Sequence, residues 1–193
     1  MPAKNREHWR AWAGDILAHD DAWMILDVEA TGGGLEDDIT EVAAVTPGGR
    51  VLVDTLIRPT IPIPPFVVAL TGITDAMVAP APPFAAVYTR VLKPHLTDRG
   101  VIAYDDTSDI RILRRNIQRH CHIAWNPIGH HDLMRAYASY RDERYPAGHA
   151  RAGRVRMHRL ESACHQMDIP HPHAHRALGD CLASAALLRA MAG

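Results

Sequence analysis

The run Trp23-Met24-Ile25-Leu26 constrains the fold of this chain more than any other segment. It is apolar at every position and short, which suits a central strand covered on both faces rather than a helix. It ends on Asp27, with Glu29 two residues on and Gly32-Gly33-Gly34 shortly after. A strand of this kind needs neighbours in its sheet and a packed layer on each side. Ile39 to Thr46 and Arg50 to Ile57 flank Pro47-Gly48-Gly49 and read as a hairpin of two further strands.

The rest of the chain alternates. Pro59 to Pro65 reads as a surface connection ahead of Leu70-Thr71-Gly72-Ile73-Thr74, and Phe84 to Leu96 has helical periodicity behind Pro82 and Pro83. Val101-Ile102-Ala103 is another short strand. Ser108 or Asp109 can open a helix to about His120, with Ile110, Leu113 and Ile117 inward. Trp125 to His131 reads as an edge strand, weakened by Pro127 and Gly129, and a helix from Asp132 to about Arg144 follows. Tyr145 to Met157, rich in Gly, Pro and Arg, reads as a mobile loop; helices over 158–168 and 174–191 close the chain. Residues 5–19 form an amphipathic helix whose stripe (Trp9, Trp12, Ala13, Ile16, Leu17) packs on the domain's own core or, alternatively, makes a dimer seam. The expected organisation is an N-terminal helix over 1–20 and one α/β domain over 21–193, a mixed sheet flanked by helices.

The totals agree with a single domain: 193 residues, 47% apolar and 22% charged. A net charge of −1 means that nucleic-acid contacts must come from local basic patches. Three cysteines without a pairing pattern, no signal peptide and no long apolar run lead to the expectation of a cytoplasmic protein with no membrane contact. The chain has thirteen histidines, with clusters at His120 and His122 around Cys121, at His130-His131 and at His171, His173 and His175, but around Cys121 the CxxC and HxxxH spacings of a zinc site are missing.

On a strand, residues two apart share a face, so Asp27 and Glu29 can reach one cation together. Hard oxygen ligands select Mg²⁺ or Mn²⁺ over zinc. The same pair also reads as a strand-end turn with solvated acids, because short motifs match by chance. The glycine triplet lacks the third glycine of a dinucleotide fingerprint and the Gly-Lys-Ser/Thr of a P-loop.

Asp27-Val28-Glu29-Ala30-Thr31-Gly32 resembles the first motif, Asp-x-Glu-Thr-Thr-Gly, of the DEDDh 3′→5′ exonucleases. This superfamily includes the proofreading subunit of bacterial DNA polymerase III, exonuclease X, RNase T and oligoribonuclease. Val101 to Asp109 is similar to its second motif, His175-Arg176-Ala177-Leu178-Gly179-Asp180 to its third, and Leu70 to Thr74 to its His-Gly-Ile-Thr segment. The resemblance covers about residues 22–191. It implies an RNase H-like mixed five-stranded sheet and hydrolysis with two divalent cations, Mg²⁺ or Mn²⁺. One cation would be held by Asp27, Glu29 and Asp180 and would acidify a bound water, whose proton His175 would take. The second, bridged by Asp27 with Asp109 nearby, would stabilise charge on the leaving 3′-oxygen. Ala30, Thr31, Gly32 and Ile73 fall where the family meets the 3′-terminal nucleotide. Ala30 replaces a threonine, Asp105 an asparagine and Ser108 a phenylalanine, and none of these removes a metal ligand.

Arg111, Arg115 and Arg119 form a ridge along one predicted helix, and Arg151, Arg154, Arg156 and Arg159 cluster in and after the loop. Arg154 and Arg156 are the expected phosphate contacts. The Tyr104 form of the second motif resembles exonuclease X, which favours DNA 3′ ends. An RNA exonuclease is the alternative enzyme. A weakly active module bound to a polymerase or repair partner through the Trp9/Trp12 helix is the alternative of another class.

Overall fold

The computed structural model describes residues 6–193. Residues 1–5, where the expected N-terminal segment begins, lie outside the described residues. Five strands form one mixed sheet: β1 (Trp23–Ala30), β2 (Ile39–Val45), β3 (Val51–Leu56), β4 (Gly100–Ala103) and β5 (His130–Asp132), in the order β3-β2-β1-β4-β5. The apolar run is the centre of this sheet. β1 pairs antiparallel with β2, placing Asp27 opposite Ala43 and Glu29 opposite Glu41, and parallel with β4. The hairpin formed by β2 and β3 matches its sequence reading, because Pro47-Gly48-Gly49 supplies the turn.

Alternate residues of β1 feed two separate cores. Met24, Leu26 and Val28 join Leu113 and Ile117 of helix α6 (Asp106–Cys121) and Leu92 of the long helical segment, which runs from α4 (Phe84–Val87) through a π-turn at Tyr88–Leu92 into α5 (Lys93–Asp98). Ile25 faces the opposite layer with Ala43, Val45 and Ile102. That layer contains α1 (Arg6–Ala18), α7 (Leu133–Arg141), α8 (Leu160–Gln166) and α9 (Ala177–Ala192). Ala13 and Ile16 of α1 are fully covered there, with Trp9 and Trp12 partly buried against the same cluster. Trp12 also meets the His131 ring of β5 edge-on, at 5.2 Å between centroids.

Four local features add detail to the sequence reading or adjust it. The stretch after Pro59 holds two short helices, α2 (Pro65–Thr71) and α3 (Asp75–Val78), which pack Val67, Ile73, Val78 and Ile63 into a small third core. Pro65 stands at the start of α2, where the missing amide hydrogen is no loss, and Gly72 ends the helix at φ 71°. Helix α6 begins at Asp106 rather than Ser108, because the Asp105 side chain caps it, accepting from the Thr107 amide at 3.2 Å. The last edge strand is confined to His130–Asp132, after Pro127 and Gly129. The loop after α7 folds back on itself: the Tyr145 amide donates to the Arg154 carbonyl at 3.0 Å, and the Arg156 amide to the Glu143 carbonyl at 2.7 Å.

Candidate active site

Because side chains alternate along β1, Asp27 and Glu29 share the face that Ile25 presents to α9. α9 lies across that face and supplies Asp180 from its first turn. Ligand oxygens of Asp27, Glu29 and Asp180 stand within 4.8 Å of one another. Asp109, buried in the first turn of α6, flanks this group and is the strongest negative charge acting on Asp27. Burial lifts the Asp27 carboxyl well above its ordinary range, and Asp109, Glu29 and Asp180 raise it further. Glu29 is pushed up to about 8, first by burial and then by Asp180 and Glu41, with Arg176 opposing. Asp109 is raised by burial, then by Asp105 and Glu29. Acids crowded in this way ionise together only with positive charge among them. An all-oxygen donor set fits hard divalent cations.

His175 sits just before α9 in a left-handed conformation, φ 61°. Its ring is 43% exposed, with Nε2 3.9 Å from Glu161. It lines a cavity of 260 Å³ together with Tyr104, Asp105, Arg159, His171 and Asp180. Tyr104 closes one wall, its hydroxyl donating to the His158 carbonyl at 2.6 Å.

The residues matched to the 3′-terminal nucleotide fare differently. Ala30 ends β1 at a register shift. The Thr31 hydroxyl donates inward to Asp37 at 3.0 Å and accepts from the Asp38 amide at 3.0 Å. A Cβ on Gly32 would lie 2.5 Å from an Asp37 carboxylate oxygen, so this glycine lets the Asp37 side chain close over its own loop. The Ile73 side chain is fully buried in the third core and is not presented to a ligand, because the apolar contacts of α2 and α3 enclose it. Arg154 and Arg156 are exposed in the loop after α7, while Arg159 reaches the cavity. The arginine ridge of α6 is partly spent on the glycine loop. Arg115 donates to the Gly34 carbonyl at 3.3 Å, and Arg119 pairs with the buried Asp38. His120 also binds Asp38, at 2.7 Å, and the carboxylate clusters among the described residues do not include Cys121. One such cluster, Asp105, Asp106 and Asp132, is neighboured by His130 and Arg135.

Two contacts were not anticipated. Glu41, 3% exposed and opposite Glu29, accepts from Arg176 Nη2 at 2.5 Å and from the Ala177 amide at 2.9 Å. Its one sequence signal is a lone charge inside the apolar run of β2. His171 Nε2 approaches Asp180 Oδ1 at 2.6 Å, and the histidine-rich stretch around it gave no way to single it out.

The mixed sheet, its two helical layers and the carboxylates gathered at the end of β1 define an RNase H-like exonuclease fold. The exonuclease family model matches residues 24–188, and the chain belongs to that family, within the DEDDh 3′→5′ exonucleases. It is 28% identical over 181 residues to the "uncharacterized exonuclease CP81" of Escherichia phage 186, covering 90% of this chain and 89% of that protein. It is 33% identical over 174 residues to a "DNA polymerase III subunit epsilon-like protein" of Rhodobacter capsulatus, covering 84% of this chain but 22% of that longer protein. Among solved structures, a zinc-bound E. coli exonuclease I complex with single-stranded DNA superposes with a TM-score of 0.70 at 22% identity, over 85% of this chain and 39% of that one. Exonuclease X in complex with 5′ overhanging duplex DNA gives 0.56 at 23% identity, over 88% and 90%. The likenesses to these structures show the fold. Divalent-metal dependence is a property of the family. No helix among the described residues is long and apolar enough to cross a membrane.

Proposed function

We propose that this domain removes nucleotides from the 3′ end of single-stranded DNA, using two divalent cations, Mg²⁺ or Mn²⁺. The observation that carries this reading is the convergence of Asp27, Glu29 and Asp180 within 4.8 Å, with Asp109 beside them. Asp27, Glu29 and Asp180 would hold one cation, and Asp27 with Asp109 the other. When bound, the cations lower the pKa of a water and stabilise charge on the departing 3′-oxygen. His175 takes the proton of the attacking water through its exposed ring, which opens onto the cavity beside Asp180. Arg159, in the wall of the same cavity, is placed to meet a phosphate, and Arg154 and Arg156 extend that positive charge along the adjoining loop. DNA is favoured because the exonuclease I and exonuclease X neighbours are described as DNA complexes.

The test uses 5′-labelled single-stranded DNA and the matching RNA, with Mg²⁺, Mn²⁺ or EDTA, beside Asp180→Asn. The expected result is a metal-dependent ladder shortening from the 3′ end, faster on DNA and lost in the variant. Faster shortening of RNA would overturn the substrate, and near-normal turnover by Asp180→Asn would overturn the ligand assignment.

A further inference from the structure

We propose that His171 is a positioning residue that holds Asp180 aimed at Asp27 and Glu29; the inference rests on reading those carboxylates as the cation ligands. The His171 side chain is 8% exposed, and its Nε2 lies 2.6 Å from Asp180 Oδ1. With Asp180 ionised, as a cation ligand is, its carboxylate accepts and Nε2 donates. The other ring nitrogen, Nδ1, is buried and has no hydrogen-bond partner among the described residues. Leaving a buried polar atom unpaired is unfavourable, so the ring is held here by its bond to Asp180 and by the packing around it.

The backbone of the 171–175 segment is built to bring that ring in. Gly179, in the first turn of α9, lies so close to the His173 carbonyl oxygen that a Cβ there would collide with it. The segment therefore crosses α9 at backbone contact, one residue from Asp180. His175, at φ 61°, turns its ring toward Glu161, with Nε2 3.9 Å from that carboxylate. Both histidines line the cavity, but the largely buried His171 ring bonds the Asp180 carboxylate while the His175 ring is 43% exposed. Metal-binding carboxylates are commonly aimed by hydrogen bonds of this kind, and losing one weakens metal binding about ten- to hundredfold.

The test is calorimetric titration of the protein with Mn²⁺ in the absence of nucleic acid, followed by turnover at saturating Mn²⁺. His171→Leu should weaken Mn²⁺ binding by about tenfold or more while turnover at saturation stays within about threefold of the original. His171→Gln, whose amide nitrogen reaches to a similar distance as Nε2, should recover most of the affinity. If His171→Leu fails to fold, His171→Asn, polar but too short to reach, takes its place. Unchanged Mn²⁺ affinity in the leucine or asparagine variant would overturn the proposal. So would intact affinity with turnover collapsed, because His171 would then take part in proton transfer. Full Mn²⁺ binding by Asp180→Asn would instead refute the underlying ligand reading, so the two failures are distinguishable.

Discussion

Glu29 and Glu41 face each other across β1 and β2, a like-charge pair that a sheet tolerates poorly. Arg176 resolves it by engaging Glu41 through both Nε and Nη2. Glu41→Gln should therefore destabilise the fold by about 3 kcal/mol, the low end for breaking a buried pair because Arg176 is partly exposed, as read by urea denaturation. Asp105 is a different kind of neighbour. It caps α6, and its negative charge is the largest acting on Asp109. Asp105→Asn keeps the cap, since asparagine serves as well there, but removes the charge. That charge attracts a doubly charged cation more than the single proton the cation displaces. The Mg²⁺ concentration for half-maximal rate should rise by about threefold, with the melting temperature unchanged.

At the scale of elements, the first turn of α9 depends on its contact with the segment before it. Gly179→Ala should displace that segment from the helix and cost about 2 kcal/mol, measured by thermal melting, because the opposing atom is backbone and cannot swing away. Elements whose pattern is self-contained were legible in the sequence: the apolar run of β1, the turn-bounded hairpin and the periodic α6. Helices α2 and α3 were not, because prolines that suggest a surface connection are equally acceptable in the first turn of a helix. The acids and His175 were legible through motif spacing. Glu41 was not, since its importance comes from register against Glu29, which no local pattern encodes. His171 was hidden by its companions, His173 and His175. The burial of Ile73 was hidden because its covering helices were themselves unread.

For the molecule as a whole, the crowded carboxylates set a pH dependence. Glu29 titrates near 8 in the folded state against 4.5 as a free side chain, and Asp27 and Asp109 are raised as well. The folded protein thus binds protons more tightly than the unfolded chain. That stabilisation is complete below the ordinary carboxylate range and is lost as pH rises through about 8. Without metal, the melting temperature should fall between about pH 7 and about pH 9, a window above the ordinary histidine range; excess Mg²⁺ should flatten the slope. Scanning calorimetry at matched ionic strength checks both. The arrangement also has a consequence in time. Asp27 and Glu29 belong to the first strand, but Asp180 and much of the core that covers their face belong to α9. While the chain is being synthesised, β1 must wait for about 150 further residues before its third carboxylate partner is made. A nuclease wired in this order cannot assemble its full set of carboxylates until α9 has emerged and docked.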